Sequence, residues 1–82
     1  MLEGTYAAAA NHTFDFKNNG EVVMQDNGVS WSGSYEYNST DGVYEIVINE
    51  AFGSVEQYTA VLDGDVLIVT YPNGNQGEYE KQ

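Results

Sequence analysis

Val29-Ser30-Trp31-Ser32-Gly33-Ser34-Tyr35-Glu36-Tyr37 decides the fold. Apolar and aromatic side chains stand at 29, 31, 35 and 37, with Ser and Glu between them. Successive side chains on a strand point to opposite faces, so this stretch reads as a strand with one face inward and one wet. The same period recurs on both sides of it. Phe14 and Phe16 bracket Asp15, Val22 and Met24 bracket Val23, and Tyr44, Ile46 and Ile48 alternate with Glu45, Val47 and Asn49. Tyr58, Ala60 and Leu62 bracket Thr59 and Val61, and Leu67, Val69 and Tyr71 form the next set. No window carries a helical stripe of comparable quality, and Ala7 to Ala10 is too short to make one.

Turn signals separate these segments. They are Asn18-Asn19-Gly20, Asp26-Asn27-Gly28, Thr40-Asp41-Gly42, Phe52-Gly53-Ser54, Asp63-Gly64-Asp65 and Asn73-Gly74-Asn75, with a weaker break at Asn11-His12. Asn-Gly and Asp-Gly pairs accept the positive φ of tight hairpins. The spacing of about ten residues per segment is that of an all-β meander or barrel. The chain therefore reads as a single domain over residues 1–82, an antiparallel up-and-down meander of about eight short strands in a closed or nearly closed barrel. Gly4-Thr5-Tyr6, Gly33-Ser34-Tyr35 and Gly77-Glu78-Tyr79 repeat one theme, a glycine where a strand bends or is closely approached and a Tyr on the inner face. The expected inward set is Tyr6, Phe14, Phe16, Trp31, Tyr35, Tyr44, Ile46, Ile48, Tyr58, Leu62, Leu67, Val69, Tyr71 and Tyr79. So many rings fill space, and a packed interior is favoured over a ligand cavity.

Composition narrows the chemistry. Thirteen Asp and Glu face two Lys and no Arg, for a formal charge of -11. With Lys17 and Lys81 as the only cations, direct nucleic-acid binding is not expected. The absence of Cys removes disulfides, thiol catalysis and thiolate metal sites. No apolar run approaches the roughly 18 residues of a membrane span, and a monomer is expected.

The opening Gly4-Thr5-Tyr6, the run from Thr13-Phe14-Asp15-Phe16 to Gly20-Glu21-Val22, Gly33-Ser34-Tyr35-Glu36, Tyr58-Thr59-Ala60, Gly64-Asp65-Val66-Leu67-Ile68-Val69 and the closing Gly77-Glu78-Tyr79-Glu80-Lys81 form one pattern. In it the chain resembles the small lipocalin-like domains of bacterial lipoproteins and surface proteins. The resemblance spans nearly the whole length and rests on hairpin architecture. It implies a small barrel and a binding role in a bacterial extracellular protein. The Asn-, Gly- and Tyr-rich composition points the same way, as if a longer protein had been trimmed to its folded part. A start at Met1, which no basic n-region follows, would instead place the chain in the cytoplasm.

Catalysis is not expected. His12 is the one histidine, and a catalytic histidine needs a nucleophile and an orienting partner, whereas Ser30, Ser32 and Ser34 alternate along a wet face. With so many acids, some carboxylate pair will always stand at a hydrolytic distance, so that signal carries no weight. Asp26-Asn27-Gly28 and Asp63-Gly64-Asp65 offer hard oxygen ligands, yet no stretch fits a calcium loop and the residues read as turn formers. No metal and no cofactor is expected. The two Asn-x-Ser/Thr sequons at Asn11 and Asn38 matter only in a chain secreted by a eukaryote.

What remains is the acidic surface. Glu3, Asp15, Glu21, Glu36, Glu45, Glu78 and Glu80 fall on outward positions. In a closed meander the last strand lies beside the first, which would bring Glu78 and Glu80 near Glu3 and Asp15. Alternate residues stand roughly 6.8 Å apart, about two nucleotide steps along one DNA strand. Two functions follow. One is a non-catalytic acidic binding module, a lipocalin-like domain whose partner is another protein. The other is a phage-type inhibitor, such as an anti-CRISPR protein, that mimics nucleic acid toward a basic groove. The expected contact residues are Glu3, Asp15, Glu36, Glu45, Glu78 and Glu80, with Phe52 as a loop contact.

Overall fold

The computed structural model describes residues 2–9, 11–50 and 53–82. Eight strands follow one another: β1 (Gly4–Ala9), β2 (His12–Phe16), β3 (Glu21–Asp26), β4 (Val29–Asn38), β5 (Val43–Asn49), β6 (Val55–Asp63), β7 (Val66–Thr70) and β8 (Gln76–Lys81). Each pairs antiparallel with its chain neighbour, and β8 returns to β1 through Tyr6↔Lys81 and Ala7↔Glu80. The result is the closed up-and-down barrel expected from the period-two pattern. Closure removes the sheet edges that an open meander would leave unpaired. The radius of gyration, 11.7 Å, is that of a compact chain of this length.

The hairpins fall on the predicted turns. At the β3–β4 turn Asn27 has φ 52° and Gly28 φ 82°, two consecutive left-handed residues between the paired Asp26 and Val29. That is the backbone twist a two-residue hairpin needs, and Asn-Gly supplies it at low cost. The long strand β4 serves two neighbours. Val29 to Ser34 pair with β3, and Gly33 to Asn38 pair with β5. Gly33 sits where the two pairings overlap, and β5 crosses it so closely that a Cβ would stand 1.8 Å from the Val47 carbonyl oxygen. A corner of this kind admits no side chain.

The other two Gly-x-Tyr repeats are built differently. Gly4 holds φ 103°, and at Gly77 a Cβ would lie 2.1 Å from the Tyr71 hydroxyl, so the Tyr71 ring occupies the space the glycine leaves. All three partner tyrosines, Tyr6, Tyr35 and Tyr79, are buried.

The core comprises Leu2, Tyr6, Phe14, Phe16, Val22, Met24, Tyr35, Ile46, Ile48, Ala60, Leu67, Val69 and Tyr79. Among the described residues, none that is polar or charged, these phenols aside, is buried with them. Phe14 is its hub, with Phe16, Tyr58 and Tyr79 rings centred 6.0, 5.6 and 5.2 Å away. The expected inward set differs from this core in position along the strands. Trp31, Tyr44, Tyr58 and Tyr71 pack against the core only in part. Leu62, expected inside, is 39% exposed near the end of β6, although its cross-strand partner Leu67 is buried in the core. Leu2, Val22, Met24 and Ala60 complete the interior. Leu2 belongs because the N-terminal segment folds over one end of the barrel, where the one proton of the Tyr35 hydroxyl is shared between the carbonyl oxygens of Leu2 and Lys17.

Candidate functional site

The outer wall of β4 and β5 carries two of the expected contact residues face to face. Glu36 and Glu45 are direct cross-strand partners, and both are exposed. Like charges at opposed positions repel, so this pair costs stability for the sheet. Beside them lies a shallow depression of about 220 Å³ lined by Ser34, Tyr35, Glu36, Glu45 and Val47. Asn38 fixes one rim. Its Nδ2 donates to Glu45 Oε2 at 3.2 Å and to Asp41 Oδ2 at 3.3 Å, while its Oδ1 accepts the Thr40 and Asp41 amides at 3.0 and 3.3 Å. The carboxylates are thus presented on a locally ordered edge.

The remaining expected acids are spread around the barrel. Strand β8 does lie beside β1, and Glu80 faces Ala7 on one side and Val66 on the other. Glu78 faces Ile68. Asp15 sits one strand further round, opposite Thr5 and Val23. It accepts a hydrogen bond from Thr5 Oγ1 at 3.2 Å and forms an ion pair with Lys17 at 2.8 Å. That exposed lysine is held above its usual pKa, first by the hydrogen bond to Asp15 and then by the Asp15 charge. Glu3 precedes β1 and is exposed. The register therefore gathers Glu36 and Glu45, leaves Glu78 and Glu80 on one strand, and sets Asp15 apart with its own cation. Phe52 lies outside the described residues.

A further group of side chains gathers at the end of the barrel opposite the N-terminal segment. His12 opens β2 and pairs in register with Asp26, which closes β3. Trp31 faces Met24, Glu56 faces Ile48, and Tyr58 faces Ile46, so all of them share the inward parity of the core. Glu50 continues that parity from Ile46 and Ile48, and Tyr71 continues it from Leu67 and Val69. Every member of this group is half-buried. Below them the hydroxyl of buried Tyr79 lies 2.9 Å from that of Tyr71 and 3.2 and 3.3 Å from the two His12 ring nitrogens. Tyr58 and Tyr71 meet edge to face at 6.1 Å.

Electrostatics at this mouth are one-sided. Burial raises the Tyr58 pKa first, and the charges of Glu50 and Glu56, then Tyr71 and Asp26, raise it further. Tyr79 is pushed well above the normal phenol range, by burial foremost and then by its hydrogen bond to Tyr71. Lys17 and Lys81 both follow or end strands at the other end of the barrel. His12 faces inward and its polar partner is Tyr79, whereas Ser30, Ser32 and Ser34 are exposed on the outer wall, so no Ser–His pair forms. Among the described residues no group of three or more His, Asp or Glu could hold a metal ion, and no helix is long and apolar enough to cross a membrane.

Comparison with protein-family models, with curated proteins and with solved structures found no match.

Proposed function

We propose that the chain is a non-catalytic acidic binding module on a lipocalin-like barrel, the folded part of a bacterial extracellular protein, which receives a positively charged protein surface on its β4–β5 wall. The observation that carries this reading is the direct opposition of Glu36 and Glu45 beside a depression. A sheet optimised for stability alone would place a cation in one of those positions. A lysine or arginine from a partner cancels the repulsion and gains two charge-assisted contacts. Resemblance to lipocalin-like domains is supported by the closed eight-stranded meander.

The nucleic-acid-mimic reading has its own observation, Glu78 and Glu80 exposed at alternate positions of β8. One experiment separates the two. A lysine-rich peptide is titrated against the protein at two salt concentrations, with amide shifts recorded. Binding on the β4–β5 wall moves Ser34 to Tyr37 and Val43 to Val47, weakens with salt, and is lost in Glu36→Gln/Glu45→Gln, a variant expected to gain about 0.2–1 kcal/mol of stability. Loss in Glu3→Gln/Glu78→Gln/Glu80→Gln alone transfers the function to the mimic face. Binding that survives both changes and moderate salt rejects both readings.

A further inference from the structure

We propose that the mouth formed by His12, Trp31, Tyr58 and Tyr71, with the carboxylates of Glu50 and Glu56 above them, is a second binding site, one that takes an organic cation: an alkylammonium or guanidinium group. The aromatic side chains form the walls of the mouth. They are half-buried on the inner face, at strand ends, over a floor of fully buried Phe14, Tyr79 and Ile48. Half-burial leaves part of each ring accessible at this end of the barrel. Rings of this kind attract a cation through the negative potential of their faces.

The acids are the second feature, and their position is unusual. Glu50, Glu56 and Asp26 stand on the inward parity, where the middle of the barrel places apolar and aromatic residues. Half-burial costs a carboxylate part of its hydration, and only a cation or hydrogen-bond donors repay it. The one salt bridge among the described residues is Lys17–Asp15, at the other end of the barrel. His12 is the only group at the mouth able to carry positive charge, and its ring is engaged by Tyr79. A charged ligand is therefore the partner this arrangement lacks.

The class of ligand follows from the chemistry of the walls. An anion is repelled by the three carboxylates. A hard metal ion needs oxygens converging at one point, which the described residues do not offer. A diffuse cation with an apolar shell suits both ring faces and dispersed carboxylates. Such a group belongs either to a small free amine or to a lysine or arginine side chain of a peptide.

The test uses the wild-type chain and its single tryptophan, Trp31, which reports on the mouth. Tetramethylammonium chloride is titrated against sodium chloride of matched ionic strength, with tert-butanol as the uncharged control and N-acetyl-lysine amide as the peptide-type ligand. Trp31 fluorescence and the ring proton signals of His12, Tyr58 and Tyr71 are followed. Saturable shifts with either cation, absent with tert-butanol, are expected. The tighter of the two cations identifies the source. Glu56→Gln should weaken binding roughly three- to ten-fold, and so should Asp26→Asn, while Glu36→Gln on the outer wall should leave it unchanged. This last variant separates failure here from failure of the outer-wall reading. No saturable shift, equal shifts with tert-butanol, or affinities unchanged in both Glu56→Gln and Asp26→Asn would overturn the proposal.

Discussion

Replacing Gly33 with alanine tests the geometry that closes the barrel. The added methyl would stand 1.8 Å from the Val47 oxygen, 2.8 Å from the Val47 carbonyl carbon and 2.9 Å from the Ile48 Cα. All three atoms are backbone, so no side chain can swing aside. Strand β5 must retreat by more than an ångström, which loosens Gly33↔Ile48 and strains Val22↔Gly33 on the other side. Overpacking costs about 1–3 kcal/mol where side chains can adjust, and a backbone collision belongs at or above the top of that range. For 82 residues the unfolding entropy is about 170 cal/mol/K, so ~3 kcal/mol lowers Tm by about 17 °C. Gly42→Ala is the control: its Cβ meets nothing within 4 Å, and its φ of 72° leaves only a conformational cost of ~1 kcal/mol. Urea and thermal unfolding, followed by circular dichroism and by Trp31 fluorescence, give both values. If Gly33→Ala falls within 1 kcal/mol of the Gly42→Ala control, the corner is not a close approach and the reasoning fails.

Alkaline pH should unfold the barrel through its tyrosines. Tyr6, Tyr35, Tyr58 and Tyr79 all have raised pKa values, with burial the first cause in each. A phenol kept neutral in the fold but free to ionise near pH 10 when unfolded gives stability that is complete below about pH 10 and lost above it, at up to ~1.4 kcal/mol per pH unit each. Phenolate absorbance should accordingly rise together with loss of strand signal, and a gradual titration without unfolding would count against it. Trp31→Ala should cost about 1–2 kcal/mol, below the 3–5 kcal/mol of a fully buried ring, because Trp31 packs against the core from the mouth. A loss of 4 kcal/mol in urea unfolding would show that the ring is structural and would weaken its place in a binding site.

Most of the barrel was legible because two signals agreed along the chain. Alternation in Val29 to Tyr37 and in Tyr44 to Asn49 fixed both strand state and face, and Asn27-Gly28 fixed where the hairpin between β3 and β4 had to turn. Local chemistry and long-range burial pointed to one answer, as they do in chains with little internal conflict. What escaped the reading was depth. Alternation tells which face a residue takes but not how far along the barrel axis it sits. Trp31 and Tyr58 have the inward parity and stop at half-burial near one barrel end, and Leu62 has it and is exposed although its partner Leu67 is buried. Leu2 escaped for a different cause, since its burial depends on the N-terminal segment folding over the barrel end, a tertiary event with no periodic trace.

The acids divide along the same line. Glu36 and Glu45 were assigned to the outer wall by parity, and they stand there as a cross-strand pair. Glu50 and Glu56 went unnoticed, and Asp26 was read as a turn former, because a polar residue in an alternating stretch is read as a strand's wet face or its end. The signal was nonetheless present. Val22, Met24 and Asp26 share one parity, as do Ile46, Ile48 and Glu50, and again Glu56, Tyr58 and Ala60. In each run the charge follows or precedes the apolar positions on their own face, and it does so at the same end of the barrel every time. One such break is an ordinary strand terminus. Three of them, on β3, directly after β5 and on β6, stand around Tyr58 with both lysines at the far end of the barrel. Chains of this size have little burial to spare, so a cation bound at the proposed mouth site is expected to raise Tm more than one bound against the outer acids.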